Sequence, residues 1–325
     1  MSKNRYNLLI TGGAGFIGSN LVEKFINDNR ISLIRVVDDL SNGYFVNIKK
    51  YIDHPKFEFI QGDICDYNVC MEVTKGIDKV SHQAGLGSVP RSVENPMRTT
   101  EVNVLGTVNL LHACHVNKID RIVLACSSST YGDSHVLPKL ENNIGKPLSP
   151  YAVSKYAVEV YADIFFKTYG LNHVCLRYFN VFGPRQNPDN PYAAVIPIFC
   201  KAIIEGKEII INGDGKTSRD FTYISNVIYA NELSLFSSNE NALNQVYNVA
   251  CGECFSLNQI IEYLNQFAGT NINPTYKSER PGDVKHSLAD ISKIKENLGF
   301  VVQTNFRNGL EQTYDYLKQD LKEFY

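Results

Sequence analysis

A glycine-rich turn near the N-terminus constrains the fold of this chain more than any other feature. The apolar run at 6–10 predicts a short buried strand, Thr11-Gly-Gly-Ala-Gly-Phe-Ile-Gly18 follows it, and residues 20–26 have the apolar spacing of a helix. The spaced glycines permit a tight turn, let backbone N–H groups approach a pyrophosphate, and let the helix pack closely on the strand. The positive end of the helix dipole favours the bound anion. The segment therefore predicts a dinucleotide-binding turn.

An acidic residue stands where such a turn needs one. A second predicted strand at 33–37 ends in Asp38, twenty residues after Gly18. A carboxylate there accepts hydrogen bonds from the adenosine ribose and repels a 2′-phosphate. The sequence therefore predicts NAD, rather than NADP, as the cofactor.

Strands and helices alternate through the first half of the chain. Further strands are predicted at 57–64, 79–85, 122–127 and 174–178, and helical patterns lie between them at 66–75, 99–116 and 150–168. Such alternation predicts a Rossmann-type α/β fold, a doubly wound parallel sheet with helices on both faces. Ligands of these sheets bind beyond the carboxyl ends of the strands, so residues at those ends are expected to share one site.

The pattern changes after about residue 180. Prolines punctuate a loop-rich stretch, which is followed by a predicted helix at 195–205, a short strand at 209–211 and a helix at 256–268 with Ser256 as its N-cap. We predict an NAD-binding domain over residues 1–180 and a smaller α/β substrate domain over residues 181–325, with some exchange of chain between them.

Composition restricts the class of partner. The formal net charge of -2 gives no reason to expect nucleic acid or an anionic membrane as a partner. No apolar run approaches the roughly 20 residues of a membrane span. The N-terminus runs straight into the first predicted strand and leaves no room for a signal peptide, so a cytoplasmic protein is expected.

The eight cysteines are scattered along the chain. Only Cys251-Gly-Glu-Cys254 has the spacing of a redox or zinc motif, and neither a second pair nor a histidine at metal-ligand spacing accompanies it. We therefore predict reduced, structural thiols and no metal site.

Tyr151 and Lys155 are candidates for proton transfer. They lie one turn apart on one face of a predicted helix. A lysine ammonium at that distance favours the phenolate and lowers the tyrosine pKa, so the pair could take a proton from a substrate hydroxyl. Tyr and Lys meet at this spacing on many surface helices, and it is the neighbouring motifs that favour the catalytic interpretation.

Seven motifs occur in an order that is familiar from one family: Thr11-Gly-Gly-Ala-Gly-Phe-Ile-Gly18, Asp38-Asp39-Leu-Ser, Gly62-Asp-Ile64, Asn103-Val-Leu-Gly-Thr107, Ser127-Ser-Ser-Thr-Tyr-Gly132, Tyr151-Ala-Val-Ser-Lys155 and Arg177-Tyr-Phe-Asn-Val-Phe-Gly-Pro184. Over essentially its full length the chain resembles the extended short-chain dehydrogenases/reductases of the nucleotide-sugar 4-epimerase group. The segments 84–91 and 127–132 are similar to those of UDP-N-acetylhexosamine (and uronic acid) 4-epimerases.

The resemblance implies a mechanism. Tyr151 would take the proton of the sugar 4-hydroxyl while hydride passes from C4 to a tightly held NAD, and the 4-keto sugar would then rotate and accept hydride on its other face. Lys155 would hold the nicotinamide ribose and keep the Tyr151 phenolate charged. Ser127 would hydrogen-bond the 4-oxygen.

The resemblance also implies two sets of contacts. The residues expected to contact the cofactor are Gly12, Gly15, Phe16, Ile17, Gly18, Asp38, Asn42, Asp63, Ile64, Gln83, Ala84, Asn103, Lys155 and Tyr178. Those expected to contact the UDP-sugar are Gly87, Ser88, Ser127, Ser128, Ser129, Tyr151, Asn180, Arg219, Arg280, Asp283 and Ser287. Arginine suits the diphosphate because its planar fork binds two oxygens. His82, by contrast, is expected to be a packing residue at a strand end.

Two departures from the family pattern bear on the substrate. Family 4,6-dehydratases carry an Asp-Glu pair where this chain has Ser128 and Ser129, which cannot act as acid and base at neutral pH. Ser287 falls where epimerases restricted to glucose and galactose carry a tyrosine, and a small residue there leaves room for a 2-N-acetyl group. The sequence therefore favours epimerisation of N-acetylated sugars over dehydration.

Two alternatives remain open. One is a UDP-glucuronate 4-epimerase or decarboxylase, and the other is a non-catalytic nucleotide-binding protein that retains the fold. The resemblance further implies a homodimer in which the helices at 99–116 and 150–168 form a four-helix bundle. Supply of sugars for an O-antigen or capsule is the expected pathway.

Overall fold

The computed structural model describes residues 5–279 and 285–323 of the chain. The strands, in chain order, are β1 (Tyr6–Thr11), β2 (Ile31–Asp38), β3 (Phe57–Gln61), β4 (Lys79–His82), β5 (Arg121–Ser127), β6 (Asn172–Tyr178), β7 (Val181–Phe182), β8 (Ile210–Asn212), β9 (Ser218–Arg219), β10 (Thr222–Tyr223), β11 (Gln245–Val249), β12 (Phe255–Ser256), β13 (Thr275–Lys277) and β14 (His286–Ser287). The helices are α1 (Phe16–Phe25), α2 (Tyr67–Val73), α3 (Val89–Glu94), α4 (Pro96–Thr100), α5 (Gly106–Val116), α6 (Pro150–Tyr169), α7 (Val195–Glu205), α8 (Ile224–Phe236), α9 (Leu257–Ala268), α10 (Ser292–Leu298) and α11 (Phe306–Glu323).

A seven-stranded parallel sheet organises the fold, in the order β11-β6-β5-β4-β1-β2-β3. The apolar run of β1 explains its central place, since Leu8, Leu9 and Ile10 are fully buried as expected of a strand covered on both faces. Two apolar clusters lie against the sheet, and successive residues of β1 alternate between them. The predicted Rossmann-type fold and its six predicted strands are confirmed.

The seventh strand comes from the second half of the chain. β11 pairs with β6 at the edge of the sheet, in the register Val246 to Cys175. Helix α8 also returns from that half and packs on β4, β5 and β6. The domain boundary near residue 180 stays a prediction.

Helix ends follow local capping chemistry. Helix α6 begins after Ser149, whose Oγ accepts from Ala152 N, and it ends at Gly170 in the left-handed conformation. The predicted N-cap at Ser256 is confirmed, with Gln259 completing a capping box. Helix α1 differs, because no side chain caps its N-terminus at Gly15. That end is the one aimed at the predicted pyrophosphate.

The predicted helix at 99–116 is interrupted. A π-helical turn, Glu101–Leu105, joins α4 to α5 and places Asn103 inside it. Such turns widen the helix locally and often occur at functional sites. Among the described residues, no helix combines the length and the apolar character that crossing a membrane requires.

Candidate active site

A cavity of about 260 Å³ lies beyond the carboxyl ends of β1 to β4, and we call it the glycine cavity. Most of the predicted cofactor residues line it: Gly12, Gly15, Phe16, Ile17, Gly18, Asp38, Asn42, Asp63, Ile64, Gln83 and Ala84. Gly87, predicted to contact the sugar, lines this cavity as well. The parallel sheet thus brings together residues that are far apart in the chain.

The glycines are required by close backbone contacts. Gly12 has φ +66°, and a Cβ there would lie 2.7 Å from Ala84 Cα. A Cβ on Gly18 would lie 2.2 Å from the carbonyl oxygen of Gly12. Together with the uncapped N-terminus of α1, this geometry fits a pyrophosphate held by backbone N–H groups.

Asp38 lies buried at the end of β2. Its carboxylate accepts from Ala14 N and Leu40 N, each at 2.9 Å. Burial raises the pKa of Asp38, and these two N–H groups oppose the rise. The acid is therefore fixed in place between the glycine turn and the loop after β2, as a ribose acceptor must be.

Asn103 and Lys155 support the cavity wall from behind. Asn103 Oδ1 accepts from Leu86 N at 2.7 Å, and its Nδ2 donates to Leu86 O at 3.1 Å and to Ser154 Oγ at 3.0 Å. Lys155 Nζ donates to Ala125 O at 2.8 Å and would lie 3.3 Å from a Cβ on Gly85. Gly85 and Leu86 line the cavity, whereas Asn103 and Lys155 do not. In this structure Asn103 and Lys155 therefore hold the cavity wall in place.

Tyr151 and Ser127 meet beside this wall. Their side chains are hydrogen-bonded to each other, with Ser127 at the end of β5 and Tyr151 in the first turn of α6. Ser127 Oγ also accepts from Ser129 N at 3.1 Å and from Ser129 Oγ at 2.9 Å. The hydroxyls of Ser127 and Tyr151 thus form a pair at the end of β5, and the turn that begins at Ser128 follows directly.

A second cavity, of about 540 Å³, lies among elements of the second half and is called the apolar cavity here. Asn180 and Arg219 line it together with Phe182, Ile196, Phe199, Phe221 and other apolar side chains. Pro90 lines it as well, so the segment from Gly87 to Pro90 contributes to both cavities. Aromatic and aliphatic walls with a few polar groups are typical of a small-molecule site.

The comparisons with known proteins agree with this geometry. The family model described as GDP-mannose 4,6 dehydratase matches residues 9–313. A putative UDP-glucose 4-epimerase of Methanocaldococcus jannaschii is 36% identical over 96% of this chain and 99% of its own length. The chain belongs to this extended short-chain dehydrogenase/reductase family.

Solved structures of the family have the same fold. The UDP-N-acetylglucosamine 4-epimerase of Methanobrevibacter ruminantium, in complex with UDP-N-acetylmuramic acid, has a TM-score of 0.92 and 38% identity, covering 98% of this chain and 100% of that one. The UDP-glucuronic acid 4-epimerase of Bacillus cereus, in complex with UDP-glucuronic acid and NAD, has a TM-score of 0.89 and 31% identity, covering 96% and 99%. This protein belongs to the NAD-dependent nucleotide-sugar epimerase group of the family.

One expectation for this epimerase-group chain is wrong as stated. Lys155 was expected to lower the pKa of Tyr151, but burial raises it and the hydrogen bond to Ser127 only partly opposes the rise. The Lys155 ammonium is turned to the carbonyl of Ala125, and burial lowers its own pKa. Desolvation is thus the main influence on the pKa of both groups.

Tyr178, predicted to contact the cofactor, lies behind the wall. Its hydroxyl donates to Gln83 Oε1 at 3.3 Å and accepts from Asn231 Nδ2 at 2.8 Å. Gln83 Nε2 in turn donates to Asn231 Oδ1 at 3.1 Å. Sequence reasoning missed Asn231 because the pattern of α8 was not recognised as a helix on the sheet.

Arg98 is a second residue that the motifs did not reveal. Its guanidinium pairs with Asp63 at 3.0 Å and approaches Asp39 at 3.8 Å. Burial would raise the pKa of Asp63, but hydrogen bonds from Cys65 and Arg98 outweigh it and lower the pKa. Asp63 is thus held ionised at the edge of the glycine cavity.

The remaining predicted residues have mixed positions. Ser88 caps α3 by accepting from Arg91 N at 3.3 Å, and Ser287 pairs with Arg219 between β14 and β9. Neither lines the cavities described above. Arg280 and Asp283 lie outside the described residues.

His82 and the cysteine pair have packing contacts. His82 bridges Thr11 Oγ1 at 2.7 Å and Thr107 Oγ1 at 2.9 Å, and burial with the nearby Lys155 charge lowers its pKa to about 3. All eight cysteines are free, and Cys254 Sγ donates to the carbonyl of Ser287 at 3.1 Å. The expectation of structural thiols fits these contacts.

Proposed function

We propose that this protein is a UDP-N-acetylhexosamine 4-epimerase, interconverting UDP-GlcNAc and UDP-GalNAc or their uronic acid forms through a transient 4-keto sugar. The observation that carries the proposal is the Tyr151–Ser127 hydroxyl pair one helical turn from Lys155, whose Nζ would lie 3.3 Å from a Cβ on Gly85 in the wall of the glycine cavity. Oxidation and re-reduction at C4 need a base for the 4-hydroxyl proton next to a hydride acceptor. NAD, when bound, supplies the hydride acceptor and then the donor.

The chain's own residues have separate tasks in this proposal. Tyr151 takes the 4-hydroxyl proton and returns it, and Ser127 hydrogen-bonds the 4-oxygen. Lys155 holds the nicotinamide ribose. Oxidised NAD, when bound, would supply a positive charge that favours the ionised form of Tyr151 against the effect of burial.

Dehydration is disfavoured although the matching family model carries a dehydratase name. Ser128 and Ser129 form the turn after Ser127, where dehydratases have their acid and base. A serine hydroxyl neither gives nor takes a proton readily at neutral pH. Loss of water would therefore lack its proton-transfer groups.

Two observations support an N-acetylated sugar. The M. ruminantium UDP-N-acetylglucosamine 4-epimerase, solved in complex with UDP-N-acetylmuramic acid, is similar over nearly the whole chain. Ser287 pairs with Arg219, which lines the apolar cavity, and carries only a small side chain. A UDP-glucuronate 4-epimerase is the second candidate, supported by the B. cereus enzyme and by a 33% identical relative from Thermodesulfobacterium geofontis.

The test is to incubate the purified protein, without added cofactor, with UDP-GlcNAc and to follow the anomeric proton by NMR. A new UDP-GalNAc signal is expected, and parallel incubations with UDP-GlcNAcA, UDP-glucuronate and UDP-glucose rank the substrates. Turnover of UDP-glucuronate alone would establish the second candidate. Unchanged sugars in all four, with NAD bound, would favour a nucleotide-binding protein.

We also propose a homodimer through α5 and α6. Exposed apolar side chains form a stripe on α6 that includes Val153, Val160 and Ile164, and α5 exposes Val116. Light scattering should give twice the chain mass, and Val160→Glu should give monomers. A cytoplasmic location and a role in O-antigen or capsule supply stay predictions.

A further inference from the structure

Asp220 is a fully buried carboxylate that the proposed chemistry does not use. It stands between Arg219, which lines the apolar cavity, and Phe221, which lines it too. Its own side chain is absent from that lining. A buried charge of this kind needs several hydrogen bonds to compensate for its lost hydration.

Those bonds come from two separate segments. Oδ1 accepts from Cys251 N and Oδ2 from Gly252 N, each at 2.9 Å, and Oδ2 also accepts from Ala289 N at 3.4 Å. Gly252 has φ +76°, so two successive N–H groups converge on the carboxylate as in an anion-binding nest. The turn at 251–252 and the segment that follows β14 are thereby tied to one side chain.

The backbone of Asp220 holds two of the predicted substrate residues. Its carbonyl accepts from Asn180 Nδ2 at 2.8 Å, and its N–H donates to Ser287 O at 2.8 Å. Asn180 has φ +36°, an unusual conformation for a non-glycine residue, so this hydrogen bond helps to fix its side chain. Asn180, Arg219 and Ser287 therefore all depend on where Asp220 lies.

We propose that Asp220 is a positioning residue for the nucleotide-sugar, setting Asn180, Arg219 and Ser287 in place without contacting the substrate. The inference rests on the proposed function for the identity of the ligand. Tyr151, Lys155 and Ser127 stand on α6 and β5, and their hydrogen bonds run to Ala125, Ser129 and each other, not to Asp220. The effect is therefore on binding and not on the chemical step.

The experiment compares Asp220→Asn and Asp220→Ala with the wild type. Asparagine retains one acceptor oxygen, but its NH₂ faces N–H donors, so it should restore only part of the arrangement. For Asp220→Ala the KM for UDP-GlcNAc should rise about tenfold, a change equivalent to 1.4 kcal/mol, with Asp220→Asn in between. The kcat, the bound NAD and the spectrum of the cofactor should stay near wild-type values.

Two further variants separate positioning from general damage. Gly252→Ala changes the turn that donates to Asp220 and leaves Asp220 itself intact, because the φ of Gly252 is unfavourable for alanine. Like Asp220→Ala, it should raise KM. Asp78→Asn is the matched control, since Asp78 accepts from Asn7 N at 2.7 Å at the opposite end of the sheet. It should alter thermal stability without changing KM.

Calorimetric binding of UDP keeps this inference distinct from the proposed function. If no sugar turns over but UDP binds the wild type more tightly than Asp220→Ala, the proposed function fails and the positioning role stands. Unchanged UDP affinity and KM in Asp220→Ala would overturn the inference. A fall in the kcat of Asp220→Ala at constant KM would also overturn it, as would a variant that neither folds nor retains NAD.

Discussion

The side chains of Ser127 and Tyr151 are hydrogen-bonded to each other across the gap between strand β5 and helix α6. Strand β5 aims Ser127 out of the carboxyl edge of the sheet, and the first turn of α6 brings Tyr151 over it. Ser127 is further fixed by Ser129. Two hydroxyls so placed can both hydrogen-bond one substrate oxygen and pass its proton between them.

Tyr151→Phe should abolish proton transfer while leaving the fold intact. Removal of a general base lowers turnover by about 10²–10⁴-fold, and we expect kcat for UDP-GlcNAc to fall within that range. Bound NAD, measured by absorbance after denaturation, should be unchanged. Ser127→Ala should lower kcat by a smaller factor. If Tyr151→Phe remained active, the base would have to be another group.

Gly12→Ala should disrupt the glycine cavity. The added Cβ would lie 2.7 Å from the backbone of Ala84, so the backbone at one of these two positions would have to shift. Gly76→Ala is the control, because its φ of +70° is similar and no atom lies within 4 Å of its Cβ. The control should cost about 1–2 kcal/mol of stability and retain NAD, whereas Gly12→Ala should lose the cofactor. Equal NAD content in both would contradict the close-contact argument.

Ser287→Tyr should narrow the range of substrates. A tyrosine beside Arg219 would occupy the space that a 2-N-acetyl group needs, so turnover of UDP-GlcNAc should fall about tenfold or more relative to UDP-glucose. Ser287→Ala is the control and should retain both activities. Equal losses on both sugars for the Tyr variant would show that position 287 does not select the substrate.

Asp38→Asn should weaken the preference for NAD over NADP. The buried carboxylate repels a 2′-phosphate, and the neutral amide retains one oxygen for Ala14 or Leu40. Reconstitution of cofactor-free protein, followed by fluorescence, should show the ratio of the two affinities shift toward NADP by about tenfold. An unchanged ratio would mean that another group reads the 2′-position.

Asp220 should make stability depend on pH. Burial raises its pKa from 3.8 to about 7, so between pH 4 and 7 the folded protein binds more protons than the unfolded chain. The contribution of Asp220 to the free energy of unfolding should therefore fall as pH rises through that window and stay constant above it. Glu253 raises this pKa, and the neighbouring thiols of Cys251 and Cys254 have raised pKa values, so they stay protonated throughout the window. The Tm of wild type minus that of Asp220→Asn should decrease from pH 5 to pH 8, and a constant difference would contradict the raised pKa of Asp220.

Local patterns carried the predictions that succeeded. The strand–glycine–helix segment, the acid after β2 and the capping box at Ser256 are short-range features, because each follows from sterics or hydrogen bonding within a few residues. The alternation of strands and helices fixed the sheet, since it permits few other arrangements. Together they determined the fold and located most residues of the glycine cavity.

The rest depended on contacts between distant segments. Asn231 reaches Tyr178 and Gln83 only because α8 folds back on the sheet, and Asp220 gains its donors from residues 251, 252 and 289. The pKa of Tyr151 likewise follows burial, which spacing along one helix does not reveal. The sequence by itself determined the architecture and the candidate chemical groups. Tertiary packing decided their protonation and which residues hold them in place, because desolvation and buried hydrogen bonds arise only when distant segments meet.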